Sequence, residues 1–177
     1  MLFVNILIVY LILVPLAVLI HEIGHALAVI FFTKRSDANV FLGAPVTNNC
    51  LHFKIGRIHF YLRWANFGFC SSIDQDGKAS TEIISEGKRI AIYSGGPLVS
   101  FLAALIAFAT SPLLSGELNS LMRAFTVLNL FTFLSTSLPY IYPKWRKGLG
   151  GTPTDGLRVK RVWQKLREER KQRRKAV

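Results

Sequence analysis

The sequence His21-Glu22-Ile23-Gly24-His25 interrupts an apolar run that extends from Met1 to Phe32. As a helix, a run of this length is more than enough to cross the roughly 30 Å hydrocarbon layer of a bilayer. Ionisable side chains such as Asp or Lys cost about 2.5–3.5 kcal/mol each in such a segment, so they persist where they face a protein interior or a wet cavity. We therefore expect this short sequence to form a functional site.

The spacing of the three ionisable side chains indicates a metal site. On a helix with about 100° between residues, His25 lies about 40° from His21 and Glu22 about 100° from it, so all three share one face. Two imidazoles one turn apart can hold a tetrahedral metal, and the carboxylate beside them can accept a proton from water held by that metal. A chance match to HExxH is the alternative, and it leaves three polar side chains in an apolar segment unexplained.

The apolar runs predict a mainly α-helical multi-pass membrane protein with a small cytoplasmic, membrane-associated β element. The chain has 177 residues, of which 51% are hydrophobic. We expect about three transmembrane helices, at residues 2–32, 90–113 and 121–142, and a β-rich loop at 33–89. A cleaved signal peptide does not fit the first run, which lacks a basic n-region and is about twice too long.

The domain organisation follows from these segments. We expect residues 1–156 to form a membrane-embedded core and residues 157–177 to form a basic cytoplasmic tail helix. Within the loop, residues 51–64 alternate imperfectly around Gly56, which predicts one or two short strands whose edge could pair with an unwound substrate. His52 and His59 are seven residues apart, so on a single strand they would lie on opposite faces, and neither is expected to bind the metal.

The distribution of positive charge predicts the orientation in the cell membrane. Of 22 Lys and Arg residues, eight lie in residues 33–89, thirteen lie in residues 144–177, and only Arg123 lies elsewhere. The positive-inside rule places both basic segments in the cytoplasm and the N-terminus outside. We expect the tail to lie near anionic lipid, and we expect no nucleic acid partner. Cys50 and Cys70 then face the cytoplasm and are expected to be ordinary thiols.

The second and third apolar runs carry candidate supporting residues. The sequence Ser94-Gly95-Gly96-Pro97 predicts a kink at Pro97 and a close approach of another helix at the two glycines. In the third run, four polar residues fall within about 120° of a helical wheel and form a stripe that should face the bundle interior. These four residues are Thr126, Asn129, Thr132 and Thr136. Interhelical packing and a role in chemistry remain equally open for this stripe.

A zinc site built on two histidines needs a third protein ligand and keeps one position for water. Spacing alone makes Asp155 only a modest favourite among the remaining acidic residues. The sequence HEIGHALAVI on a first membrane helix, GGPLVS at the start of the next, and the late Asp155-Gly156 pair together resemble the site-2 protease family of intramembrane metalloproteases. Ser100 occupies the position where that family commonly has Asn.

The resemblance implies that His21, His25 and Asp155 bind one Zn²⁺ per chain and that Glu22 is the catalytic base. It also implies cleavage of membrane-spanning or membrane-proximal segments in a membrane protein or peptide substrate. The supporting or substrate-facing residues are expected to be Asn129, Ser100, Gly95, Gly96 and Pro97. Two alternatives remain open, a non-proteolytic membrane binding protein that retains the fold and a membrane-anchored protease that acts on soluble peptides.

Overall fold

The computed structural model describes residues 2–48, 51–74 and 77–175 and consists of long helices and one four-stranded sheet. The elements are α1 (Leu2–Ile8), a π-helical turn (Val9–Leu13), α2 (Val14–Phe32), β1 (Asp37–Leu42), β2 (Leu51–Ile55), β3 (Ile58–Leu62), β4 (Gly68–Ile73), α3 (Glu86–Thr110), a 3-10 turn (Ser111–Leu113), α4 (Gly116–Ser137) and α5 (Asp155–Lys175). The first two helices and the π turn form one continuous rod. Cys50 lies outside the described residues.

Among the residues that the structure describes, two helical segments are long and apolar enough to cross a membrane, Phe3–Phe32 and Glu86–Leu113. Large apolar side chains on both segments face outward without protein cover, including Phe31 and Phe108. The helix α4 has 22 residues and also exposes apolar side chains, among them Phe131. The chain is therefore mainly helical with a small mixed sheet, as predicted, and the third transmembrane helix stays a prediction.

The helices α3 and α4 depart from the predicted bounds, and local signals explain the start of α3 and the end of α4. The helix α3 begins before residue 90 because the Ser85 side chain accepts a hydrogen bond from the Lys88 amide at 3.4 Å. The helix α4 begins and ends five residues earlier than the predicted 121–142. It stops at Ser137 because the residue before a proline disfavours helical geometry, and Leu138, which precedes Pro139, is extended. The connection between α3 and α4 is correspondingly shorter than the predicted spans imply.

The sheet has the strand order β2-β3-β1-β4, with β1 parallel to β3 and antiparallel to β4. The predicted strands in 51–64 are confirmed as the antiparallel hairpin β2–β3. Its turn passes through Gly56, whose φ of +57° is readily adopted only by residues without a β-carbon. The strands β1 and β4 were not predicted, and they extend the β element across most of residues 37–73.

One face of the sheet packs on α2. Alternate residues of a strand point to opposite faces, so Ala38, Val40 and Phe60 meet Ala26 and Val29 of the helix in a buried apolar cluster. Burial of this face fixes the sheet against the helix that carries the HExxH sequence.

The opposite face of the sheet carries a row of aromatic rings. The His52 ring stacks on Tyr61 at 4.4 Å and lies 6.2 Å from the His59 ring. The expectation that the two histidines lie on opposite faces was wrong, because the hairpin folds them back onto the same face. The His59 Nε2 atom lies 3.2 Å from an Asp37 carboxylate oxygen. Neither histidine belongs to the metal-ligand group described below.

The helices α2 and α3 cross at paired glycines. A β-carbon added to Gly24 would lie 2.4 Å from the Gly95 carbonyl oxygen, and one added to Gly95 would lie 2.5 Å from the Gly24 carbonyl oxygen. Only residues without side chains allow this backbone approach. The crossing brings the start of α3 against the histidine-bearing face of α2.

Polar contacts define the two ends of the helical bundle. At one end, the Asn5 side-chain amide donates a hydrogen bond to the Glu117 carboxylate. At the other end, Lys165 of α5 donates to Glu86 at the start of α3 over 2.7 Å. The α3–α4 connection and the chain start therefore share one end, and α5 lies at the end where α3 begins.

Candidate metal centre

Three ligand atoms from distant parts of the chain form a triangle. The His21 Nε2, His25 Nε2 and Asp155 Oδ2 atoms lie 3.2 Å apart in each pair. Zinc bonds of about 2.0–2.2 Å at tetrahedral angles require ligand atoms about 3.3–3.6 Å apart. The donor set of two imidazoles and one carboxylate, at nearly this spacing, therefore fits a zinc ion.

Groups on α3 contact the Nδ1 atoms of both imidazoles, whose Nε2 atoms form the triangle. The His25 Nδ1 atom lies 2.8 Å from the Ile92 carbonyl oxygen. A carbonyl only accepts, so the proton sits on Nδ1 and the Nε2 lone pair faces the triangle. The His21 Nδ1 atom lies 3.1 Å from the hydroxyl oxygen of Ser100, which is fully buried. The Ser100 hydroxyl can accept from Nδ1 in the same way.

The glycines of α3 make room for the rings. A β-carbon added to Gly96 would lie 2.3 Å from His25 Nε2 and 2.8 Å from His21 Cε1. The ligand triangle therefore requires glycine at this position. Pro97 is buried on the side of α3 that faces α4 and α5, where it lines a second groove with Phe133. Asp155 lines the same groove.

Asp155 reaches the histidines because the start of α5 is pinned to the end of α4. The buried Thr154 hydroxyl donates to the Leu138 carbonyl over 2.6 Å and accepts from the Leu157 amide at 3.3 Å, so it caps α5. A β-carbon added to Gly156 would lie 1.8 Å from the Ser137 carbonyl oxygen. This close contact places Asp155, the first residue of α5, opposite the histidines.

The environment of Asp155 favours its ionised form. Burial opposes ionisation, but the neighbouring imidazoles of His25 and His21, when protonated in the absence of a metal, hold the pKa of this carboxyl well below its usual range. A carboxyl group that stays ionised at neutral pH can act as an anionic metal ligand. Asp155 is therefore chemically suited to the position that the structure gives it.

Glu22 lies beside the ligand triangle and packs against Gly68, the first residue of β4. A β-carbon added to Gly68 would lie 2.7 Å from Glu22 Cγ and 3.1 Å from its Oε1 atom. Glu22 shares a cavity of about 730 Å³ with His21, His25 and Asp155. The arrangement thus combines three metal-ligand atoms, a separate carboxylate and space for a peptide.

The polar stripe of α4 divides between packing and the cavity. Thr132 and Thr136 line the cavity, and their hydroxyls donate to carbonyls one turn earlier in α4. Asn129 is fully buried, donates its side-chain amide to the Phe125 carbonyl at 2.9 Å, and does not line the cavity. The structure therefore does not bring Asn129 to the ligand triangle.

Two residues that position the site, Thr154 and Gly68, were not predicted from the sequence. Thr154 was detectable, because Thr-Asp-Gly before a helical segment is an N-cap signature. Gly68 carries no such signal, since its importance comes from a strand pairing that residue spacing does not show.

Cys70 of β4 also lines the cavity, and burial, assisted by the charges of Glu22 and Asp155, raises the pKa of its thiol well above the usual value. The thiol therefore stays protonated at neutral pH.

A model of peptidase family M50 matches residues 9–173, which include the whole ligand triangle and nearly the whole chain. The chain belongs to peptidase family M50. This is the site-2 protease family that the sequence resembles, a family of membrane metalloproteases that are generally zinc-dependent. No curated protein and no solved structure matches the chain.

Proposed function

We propose that this M50 protein is an intramembrane zinc metalloendopeptidase that cleaves membrane-spanning or membrane-proximal peptide segments. The observation that carries the proposal is the triangle of His21, His25 and Asp155 atoms beside Glu22, because the two histidines and Glu22 lie on a helix long and apolar enough to cross a membrane. A buried cluster of this kind is costly in an apolar helix unless it binds something.

The side chains divide the chemistry among them. Zinc held by His21, His25 and Asp155 would polarise the scissile carbonyl and activate water for attack. The Glu22 carboxylate accepts the proton from the attacking water and delivers it to the nitrogen of the leaving amine. Ser100 and the α3 backbone keep the imidazoles oriented, which fixes the reacting groups in place.

The strand β4 supports a mode of substrate presentation. Peptide bonds in a membrane helix are sheltered by their own hydrogen bonds, so a substrate must unwind and find new partners for its backbone. The sequence placed the receiving edge in residues 51–64, but β2 is separated from β4 by two strands. The strand β4 forms the other edge, and its C-terminal end is already paired, since the Ser72 carbonyl accepts from the Ser80 amide at 3.0 Å. Because its N-terminal part lines the cavity at Gly68 and Cys70, we assign strand addition to that part of β4.

We place the chain in the cell membrane with three spans, the third formed by α4. The N-terminus is then outside, and the sheet and α5 are cytoplasmic, in accord with the positive charge of both segments. Residues 1–156 form the membrane core, and residues 157–177 form the basic tail near anionic lipid. Because α5 begins at Asp155, the third ligand and the tail belong to one helix.

Removal of the catalytic base separates the enzyme from a binding protein that retains the fold. The Glu22→Gln variant should retain zinc and lose all cleavage of a membrane-spanning reporter, whereas His21→Ala and Asp155→Ala should lose zinc as well. Zinc is measured by elemental analysis and cleavage by mass spectrometry of the products. Unchanged cleavage by Glu22→Gln would refute the proposed mechanism, and cuts confined to a water-soluble reporter would refute intramembrane proteolysis.

Proline scanning tests strand addition. Alternate residues of an edge strand point their amides outward, so proline at alternate positions of β4 should block cleavage while the protein stays folded. Proline at outward-pointing amides of β2, the opposite edge of the sheet, is the matched control and should have no effect. Equal cleavage by both sets of folded variants would exclude β4 as the docking strand.

A further inference from the structure

The wall of the catalytic cavity carries two arginines that form no ion pair within the described residues. Arg146 and Arg158 line the same cavity as Glu22 and Asp155. In the described part of the chain, neither guanidinium forms an ion pair with a carboxylate. Arg89, a third arginine of the cavity, differs because its guanidinium lies 3.8 Å from Glu86.

The three carboxylates that line the cavity already have hydrogen-bond partners or an assigned role. Asp155 contacts the two histidines of the triangle. Glu82 accepts hydrogen bonds from the Lys34 and Arg35 amides at 3.1 and 3.2 Å and from the Ser36 hydroxyl at 2.9 Å. Glu22 is assigned to proton transfer. A bound divalent ion would therefore leave the cavity with excess positive charge, which favours an anionic group on whatever enters it.

Each guanidinium is held over an aromatic ring. Arg158 lies one helical turn after Asp155 in α5, and its Cζ atom lies 5.6 Å from the centre of the Tyr93 ring. The Arg146 Cζ atom lies 5.0 Å from the centre of the Tyr142 ring. Stacking restricts the side chain while its N–H groups remain available at the edge of the plane.

The loop that carries Arg146 is closed by its own backbone. The Arg146 carbonyl accepts from the Gly150 amide at 2.8 Å, and the Tyr142 amide donates to the Thr152 carbonyl at 2.9 Å. Gly148 of this loop packs on Phe67, which also lines the cavity. Both arginines are therefore presented by ordered backbone, as a binding site requires.

We propose that the protein selects substrates that carry an Asp or Glu side chain a few residues from the scissile bond, bound by Arg146 and Arg158. The proposal rests on the proteolysis proposed above. A planar guanidinium binds a carboxylate through two parallel hydrogen bonds, and such charge-assisted bonds are stronger than neutral ones. A peptide added to β4 would run along the cavity wall that these arginines share.

Matched peptide pairs test the selection. The probes are synthetic peptides with one apolar span in which each position near the cut is either Asp or Asn, presented to the zinc-loaded full chain in phosphatidylcholine vesicles. We expect an Asp member at the favoured position to have about a 10- to 100-fold higher kcat/KM than its Asn partner. The ratio should fall toward one in Arg146→Gln/Arg158→Gln. Arg158→Lys should retain part of it, because lysine keeps the charge and loses the planar fork.

Arg161→Gln is the control, because Arg161 is exposed on the same helix and does not line the cavity. Its Asp/Asn ratio should equal that of the unmodified chain. Equal kcat/KM for Asp and Asn partners at every position, or a ratio that persists in the double variant, overturns the proposal. So does a ratio that phosphatidylglycerol in the vesicles abolishes, because a lipid phosphate would then be the occupant.

Binding of the same peptides to zinc-loaded Glu22→Gln separates this inference from the proposed function. If the unmodified chain cleaves no peptide while Glu22→Gln binds Asp members selectively through the two arginines, proteolysis is wrong and acidic recognition stands. If the unmodified chain cleaves both members of every pair equally, proteolysis stands and acidic recognition is wrong.

Discussion

Gly96→Ala is a one-carbon test of how the metal centre is built. The added β-carbon would lie 2.3 Å from His25 Nε2 and 2.6 Å from His25 Cδ2. Ordinary contact begins near 3.4 Å, so the ring or the helix must move by about 1 Å. Metal sites tolerate ligand displacements of only about 0.2 Å. The substitution should therefore remove His25 from the ligand triangle.

The expected loss of affinity follows from this displacement. Changes to groups that merely orient a ligand weaken metal binding about 10- to 100-fold. Displacing the ligand atom itself should cost at least the upper figure, about 2.7 kcal/mol. The zinc dissociation constant is measured by competition with a chromophoric chelator, and thermal unfolding of the zinc-free protein reports whether the helices still pack.

Gly87→Ala is the matched control in the same helix. No atom lies within 4 Å of a β-carbon added there, so zinc affinity should be unchanged. Replacement of a helical glycine by alanine should also stabilise the fold by about 0.4–1 kcal/mol. If folded Gly96→Ala binds zinc as tightly as Gly87→Ala, the contact between Gly96 and His25 does not control the site and the reasoning fails.

Three further substitutions test the supporting contacts. Ser100→Ala removes the hydrogen-bond partner of His21 Nδ1 and should weaken zinc binding about 10- to 100-fold in chelator competition, with little change in secondary structure by circular dichroism. Thr154→Ala removes the cap of α5 and should lower the free energy of unfolding by about 1 kcal/mol in denaturant titration. Hydrogen bonds from the Lys34 amide and its neighbours lower the pKa of Glu82, so the associated stability is complete above about pH 5 and declines as pH falls through the lowered value. Glu82→Gln should therefore show a smaller loss of melting temperature between about pH 5 and pH 3, and an equal loss would refute this contribution.

The sequence predicts the elements whose signals are local. The HExxH face of α2 follows from helical spacing, and the hairpin β2–β3 follows from alternation around Gly56. The strands β1 and β4 have no such signal. They form because β1 pairs with both β3 and β4, over distances along the chain that no short pattern encodes.

Sequence spacing alone also fails to place the third metal ligand. Asp155 is separated from His25 by 130 residues along the chain, and spacing alone made it only a modest favourite. Its position depends on the Thr154 cap and on the contact between Gly156 and the Ser137 carbonyl. Both contacts belong to the return of the loop after α4, which sequence spacing alone cannot locate in space.

The metal ligands come from two different helices, so metal binding affects how the bundle is held together. The helix α2 provides His21 and His25, α3 orients them through Ser100 and the Ile92 carbonyl respectively, and α5 provides Asp155. A metal bound by all three residues would join α2 to α5, so its binding free energy would also stabilise the docking of α5. Thr154 and Gly156 position the start of α5 through protein contacts alone, which allows the site to be ordered before the metal binds. Metal affinity and tail docking should therefore weaken together in variants of Gly156, even though this residue contributes no ligand.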